Sequence, residues 1–324
     1  MTTAIKTVLV TGGLGFIGGR VIPALLATGL YRVRIGSRKQ TLSKDIFPAW
    51  AAQLECVGYD LFSGAGLEAA CTGVDAIVHL AALNEGDSTR DPEVALLVTG
   101  LGTLKLLRAA EATGVQRFLY FSTAHVYGSP LQGVITEQTL ARPGHPYSIT
   151  HRVAEDFVLA AHDRKTLTGI VARCSNGFGA AADSRANCWM LLVNDLCRQA
   201  VMQRKLVLKS SGLQWRDFIT LHDVGRAVIH LLQVEPERVG NGLFNLGGEL
   251  ALRVLDVTER IAERCEAVFG FRPVIEKLGA TCGTEQPPLN YSIDKLKATG
   301  FAPAGSVDAE LDAILRLCAN TFVE

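Results

Sequence analysis

Net charge is the first thing this chain of 324 residues lacks: 32 Lys and Arg balance 32 Asp and Glu. A nucleic-acid partner would call for a net or clustered positive face, so none is expected. A small anionic ligand stays open, because two or three local positive groups suffice for one. Paired cysteine motifs are also missing. The eight cysteines are Cys56, Cys71, Cys174, Cys188, Cys197, Cys265, Cys282 and Cys318, and no two form a C-x-x-C pair. A zinc ribbon and a thioredoxin motif drop out, and no metal is expected. The thiols read as small buried hydrophobes in a reducing compartment. No apolar run approaches the roughly 20 residues of a membrane span. The N-terminus enters a strand pattern at once, without the basic, apolar and small-residue layout of a leader. A cytosolic protein without a membrane partner is therefore expected. Repeats of fixed period, low-complexity tracts and charge blocks are absent too.

What is present is a large globular core. Hydrophobic residues make up 48% and charged residues 20%, which excludes a disordered chain. A chain this long buries roughly three quarters of its unfolded surface. In the first half, strand-like and helix-like segments alternate. Strands are expected at 7–10, 31–35, 54–57, 76–80, 118–122 and 170–173. Helices are expected at 16–28, 93–112 and 147–161. Strands apolar on both faces that alternate with helices imply a parallel sheet covered on both sides. With right-handed crossovers the result is an α/β, doubly wound (Rossmann) fold. The second half is less regular, with a helix at 187–203, a strand–helix unit at 218–232 and a strand at 241–246. The expected division is a dinucleotide-binding domain over 1–175, to which 216–248 return. A smaller, interleaved substrate-binding region takes 176–215 and 249–324.

The first strand runs into Thr11-Gly12-Gly13-Leu14-Gly15-Phe16-Ile17-Gly18. Gly12, Gly15 and Gly18 sit at a strand-to-helix turn, where glycine permits close approach of a pyrophosphate and of helix to strand. The helix start, at Phe16 and Ile17, offers free N–H groups to phosphate. The second strand ends in Gly36-Ser37-Arg38-Lys39, with no acid before Asp45. An acid there accepts from the ribose 2′-hydroxyl of NAD, whereas Arg38 offers a charged fork to the 2′-phosphate of NADP. NADP is favoured, with NAD open.

Further motifs follow in order. Asp60-Leu61 comes after the third strand, and His79-Leu80-Ala81-Ala82 after the fourth. Gly102-Thr103-Leu104 lies in the long helix. Ser122-Thr123-Ala124-His125-Val126-Tyr127-Gly128 closes the fifth strand, and Tyr147-Ser148-Ile149-Thr150-His151 opens a helix. Arg173-Cys174-Ser175-Asn176, Arg216-Asp217-Phe218, His222-Asp223 and Asn245-Leu246-Gly247 complete the set. Nearly end to end, the sequence resembles the extended short-chain dehydrogenases/reductases, in the epimerase/dehydratase branch that acts on nucleotide sugars. The resemblance implies that Tyr147 is a general acid/base and that Thr123 hydrogen-bonds the same substrate oxygen. It implies that Asp60 meets the adenine, that Leu80, Ala81 and Ala82 line the cofactor path, and that Asn176 and Arg216 face a nucleotide diphosphate. It also implies a homodimer, paired through helices 92–112 and 147–161.

The family keeps a lysine four residues after the tyrosine, on the same helix face. Its charge stabilises the phenolate and its donors hold the nicotinamide ribose. Here that position is His151. A full charge about 4 Å away is worth roughly 4 kcal/mol at an effective dielectric of 20, or about three pKa units. An ordinary imidazole is only partly charged at pH 7. Three readings stay open: His151 substitutes for the lysine; another group such as His125 or Cys174 serves; or the protein binds without turnover. The Asp-Glu pair that 4,6-dehydratases carry after the Ser/Thr is absent, since Ala124 and His125 stand there. Thr99 replaces a common Asn. Thr284, Glu285 and Gln286 occupy a stretch where relatives often hold an arginine for the substrate phosphate. The expected activity is hydride transfer at a secondary alcohol or ketone of a nucleotide-linked sugar. Ketoreduction is favoured, because exchanging NADPH suits net reduction. A 4-epimerase and a catalytically silent dinucleotide-binding protein are the alternatives. His79 and His222-Asp223 read as structural. Trp189, Met190 and Trp215 lie in the expected substrate region.

Overall fold

The computed structural model describes residues 6–38, 50–51, 53–278 and 287–323. Lys39, Asp45, Cys282 and residues 284–286, named above, lie outside them.

Seven parallel strands form the central sheet. They are β1 (Lys6–Thr11), β2 (Tyr31–Ser37), β3 (Glu55–Gly58), β4 (Ala76–His79), β5 (Arg117–Thr123), β6 (Thr168–Cys174) and β7 (Leu243–Leu246), in the order β7-β6-β5-β4-β1-β2-β3. The alternation of side chains along a strand sorts them to the two faces. Val8 and Val10 join one apolar cluster, packed by α1 (Gly18–Ala27) and α5 (Leu221–Gln233). Leu9 joins the other, packed by α2 (Gly102–Ala112) and α3 (Pro146–Asp163). All three side chains are fully buried, each contributing about 1.5–3 kcal/mol of apolar burial.

The chain travels outward from β1 to β3, then returns to place β4 on the other side of β1, with Thr11 beside His79. That reversal opens a crevice at the carboxyl ends of β1 and β4, where open α/β sheets bind ligands. Helices α4 (Leu192–Gln203), α6 (Val254–Phe269) and α7 (Val307–Phe322) gather a separate apolar cluster. In it Cys197, Cys265 and Cys318 are fully buried. The short strand Asn176–Phe178 runs parallel to Trp215–Thr220, which pairs antiparallel with Ala251–Arg253. Arg20 of α1 reaches Glu310 of α7 at 2.6 Å and Ala180 O at 2.9 Å, tying this cluster to the sheet. No helix among the described residues is long and apolar enough to cross a membrane.

Two helices differ from expectation. The segment 93–112 is not one regular helix: Leu96–Leu101 is a wide π turn between Pro92–Ala95 and α2. Gly102 supplies a reason, since a Cβ there would lie 2.9 Å from the Leu61 side chain. Thr99, inside the π turn, accepts from Leu83 N at 3.2 Å and so holds the loop after β4. Such bulges re-aim a helix without ending it. Helix α4 starts at Leu192 instead of 187, because the preceding residues close turns of their own. Cys188 N donates to Ala186 O, and the Trp189 indole donates to Ser184 O.

Candidate active site

The crevice leads into a cavity of about 370 Å³. Phe16 and Ile17 at the glycine loop, Leu80 and Ala82 after β4, and Thr123, His125, Tyr147, His151, Asn176 and Arg216 all line it. Ten of the residues expected from the sequence are thereby brought to one surface.

The glycine loop is built by contact. Gly12 adopts φ +66°, and a Cβ on it would lie 2.9 Å from Ala81 N. A Cβ on Gly18 would lie 2.4 Å from Gly12 O. Helix α1 therefore sits directly on the loop, as its glycines permit. Gly15 N donates to Gly12 O, but the N–H groups of Phe16 and Ile17 have no backbone acceptor among the described residues. They are the unsatisfied donors of a helix start. Ala81 N and Leu80 N share Thr11 Oγ1, at 3.3 and 3.2 Å.

The adenine end is less uniform. Ser37 is half-buried and Arg38 exposed. Asp60 accepts from Phe62 N at 2.9 Å and from the Ser63 hydroxyl at 2.8 Å. Those bonds, Ser63 first, hold its carboxyl below the ordinary range, and the Arg38 charge adds to the effect. Leu61 is a core residue clustered with Tyr59 and Ile77, so its side chain belongs to the packing.

The chemistry-bearing side chains face each other across β5 and α3. Pro146 occupies the first turn of α3, and His145 caps it, its Nδ1 accepting from Tyr147 N at 3.2 Å. His145 Nε2 in turn meets the Thr89 hydroxyl at 2.9 Å. Tyr147, His151 and Glu155 share one helix face by their spacing of four. Glu155 forms a buried two-point pair with Arg173 of β6, at 3.0 and 2.7 Å, and accepts from Ser122 of β5. Removing one partner of such a pair costs about 3–5 kcal/mol. The pair fixes α3 against both strands.

Burial pushes the Tyr147 phenol up to about 12, while a hydrogen bond with Thr123 pulls it down. Thr123 Oγ1 accepts from His125 N at 3.2 Å, leaving its own hydrogen to donate. His151 is 4% exposed. Its ring meets that of Tyr147 edge-on at 4.5 Å, and its Nδ1 lies 2.7 Å from the Tyr120 hydroxyl. Its Nε2 is buried with no partner among the described residues. Burial drives its pKa down to about 3, so the imidazole is neutral near pH 7. It brings no positive charge to Tyr147.

The other candidate acid/base groups are also uncharged. Burial raises the Cys174 thiol to about 12. Burial lowers His125, against the Glu85 carboxylate. The cation of the site is Arg216, which donates to Asn176 Oδ1 at 3.5 Å. Asn176 Nδ2 is held by Asp217 O at 2.8 Å, so Asn176 anchors the strand and steadies Arg216. Burial lowers Arg216, and the Glu85 carboxylate only partly offsets this.

His79 bridges Thr11 at 2.6 Å and Thr103 at 3.0 Å within the core. Asp223 binds Thr220 and the amides of Ala304 and Gly305. Both work as structural ties. Of the expected substrate-region residues, Met190 lines the cavity. Two residues at the site escaped sequence reasoning. Glu85 lines the cavity from the first turn of a short helix, Glu85–Arg90, that follows the loop after β4, a position that a switch-point argument could have flagged. Tyr120 read as one more apolar strand residue, and nothing local distinguishes it.

The fold and glycine loop together define the doubly wound, dinucleotide-binding class. Within that class, residues 8–247 match the model of the NAD dependent epimerase/dehydratase family, and the chain belongs to it. It is 34% identical over 290 residues to UDP-glucose 4-epimerase 4 of Oryza sativa subsp. japonica, covering 79% of this chain and 77% of that protein. It is 28% identical over 320 residues to the low-salt glycan biosynthesis protein Agl12 of Haloferax volcanii, covering 94% and 96%. Its fold superposes on a UDP-glucuronic acid 4-epimerase from Bacillus cereus, crystallised with UDP-glucuronic acid and NAD. The TM-score is 0.80 at 22% identity, over 98% of this chain and 100% of that one.

Proposed function

We propose that this protein is a nucleotide-sugar epimerase of the 4-epimerase type, which oxidises and re-reduces one secondary alcohol with a nicotinamide dinucleotide. The observation that carries the reading is one cavity in which the glycine-loop amides, the Thr123–Tyr147 pair and Arg216 converge. The 34% identity to a UDP-glucose 4-epimerase supports it over the ketoreductase that Arg38 and the NADP preference favoured. The missing Asp-Glu pair after Thr123 argues against a 4,6-dehydratase.

The residues fit a dinucleotide. Gly12 and Gly18 let α1 close on the loop where a Cβ would collide with backbone, and among the described residues the Phe16 and Ile17 N–H groups have no backbone acceptor and the buried His151 Nε2 has no partner. When bound, the dinucleotide supplies the acceptor and donor of hydride at the sugar carbon. Thr123 would hold the substrate oxygen and Tyr147 would move its proton. Arg216, with Asn176 behind it, would bind an anionic diphosphate. Residues 176–215 and 249–324 would form the sugar-side lobe.

A second reading, ketoreduction, is favoured by one observation: the Tyr147 phenol, at about 12, is a ready proton donor but a reluctant base. One experiment separates the two. Purified protein is incubated with UDP-glucose or UDP-glucuronic acid, and the C4 epimer is sought by NMR. Epimer formed with no net change in reduced nicotinamide absorbance supports the epimerase. NADPH consumption with a 4-keto sugar, and no epimer, overturns it. NADP remains our preferred cofactor, since Arg38 is exposed at the end of β2. Tighter NAD than NADP in a binding titration would sink that preference. A homodimer is likewise proposed, supported by Leu96 (45% exposed) and Ile149 (43% exposed) on the two helical segments concerned. Light scattering that gives one-chain mass at micromolar concentration would reject it.

A further inference from the structure

His151 leaves one polar atom unaccounted for. The imidazole is 96% buried, its Nδ1 is 2.7 Å from the Tyr120 hydroxyl, and its Nε2 has no partner among the described residues, while the ring lines the cavity beside Tyr147. Tyr120 is 1% exposed, and its hydroxyl has no other partner among the described residues. Two arrangements of hydrogen are possible. If Nδ1 carries the proton and donates to Tyr120, the phenol hydrogen is stranded in the core, and the Nε2 lone pair is unmatched as well. If Tyr120 donates to Nδ1, both of these side chains are matched except at Nε2–H, which belongs to a ring that lines the cavity and is the one position a bound ligand could satisfy. Burial of unmatched donors is what folded proteins avoid, so the second arrangement is selected.

We propose that Tyr120 is a positioning residue: it donates to His151 Nδ1, fixes the imidazole as its Nε2–H tautomer, and so presents one neutral donor to a hydroxyl oxygen of the bound ligand. The proposal rests on the reading that a nicotinamide dinucleotide and a nucleotide sugar meet in this cavity. The hydroxyl belongs either to a ribose of the dinucleotide or to the sugar. Low basicity of the buried ring keeps the donor uncharged across the physiological range. The Tyr120 phenol is raised well above its ordinary value by burial, so it retains the hydrogen it gives. The site would thus keep a donor where a lysine is absent, and forgo the charge.

The test uses the full chain labelled with ¹⁵N-histidine, together with calorimetric titrations of NAD⁺, NADP⁺ and UDP-glucose. The expected histidine spectrum shows His151 protonated at Nε2 in the wild type and a mixture of tautomers in Tyr120→Phe. Tyr120→Phe should weaken the ligand that accepts the bond by roughly three- to tenfold, the worth of one neutral hydrogen bond. A loss confined to the dinucleotides places the hydroxyl on the ribose, and a loss confined to UDP-glucose places it on the sugar. His151→Gln, whose amide reaches where Nε2 stood, should retain most affinity. Adding Tyr120→Phe to that variant should then cost nothing more. Circular dichroism checks that each variant is folded. An Nδ1–H tautomer in the wild type overturns the proposal, as does a folded Tyr120→Phe with unchanged tautomer and affinities. Failure of the wild type to bind any dinucleotide would instead refute the proposed function, while the spectrum still decides the tautomer.

Discussion

Tyr147 and His151 define the chemistry that one exchanged residue alters. Tyr147→Phe should lower turnover by about 10²- to 10⁴-fold, the usual contribution of a general acid/base. Dinucleotide affinity should stay level, and a titration run beside the rate assay checks both. His151→Lys tests the missing charge. A cation about 4 Å from the phenol stabilises phenolate by roughly 4 kcal/mol, so the basic limb of the pH–rate profile should move down by up to about three units. An unmoved limb in a folded variant would show that Tyr147 is not governed by that charge. The departure at position 151 could be read from the chain, because its spacing from Tyr147 fixes it to the same helix face. Tyr120 could not, since a strand residue's partner lies on a different element and no local pattern points to it.

The phosphate loop, the β4 loop and the start of α3 show how far periodicity and glycine spacing reach. The seven sheet strands fall where alternation of strand and helix put them, within a few residues. The π turn at Leu96–Leu101 does not, because it answers to packing of Gly102 on Leu61 across the molecule. The Asn84–Glu85 stretch was opaque for a similar reason: its place at the cavity depends on Thr99 holding Leu83. The loop supports a sharper prediction. Gly18→Ala places a Cβ 2.4 Å from Gly12 O, so loop and helix must part. Dinucleotide affinity should fall by about tenfold or more, at least 1.4 kcal/mol. Gly29→Ala is the control: its φ is +68° but no atom lies within 4 Å of the added Cβ. It should cost about 1 kcal/mol of stability through backbone strain, and leave binding unchanged. Thermal melts and titrations of the two variants separate the effects.

For the molecule as a whole, the buried histidines couple folding to acidity. Burial lowers both His79 and His151 to about 3. The unfolded chain takes up protons at these residues near 6.5, while the folded chain does not, so stability falls as pH drops from about 6.5 towards 3. Each histidine contributes about 1.4 kcal/mol per pH unit in that window. The denaturant midpoint measured between pH 7 and 5 should fall, and His151→Gln should flatten the slope. A midpoint constant over that range would contradict neutral burial. The interleaving of the two lobes carries a further consequence for synthesis. Arg20 stands in the first helix, yet its carboxylate partner Glu310 follows 290 residues later. A ribosome must reach residue 310 before that clasp can close. Until then the guanidinium of the first helix has only the Ala180 carbonyl to bind, without its carboxylate. The sheet, open along the edge that β7 (Leu243–Leu246) will occupy, can close well before the clasp does.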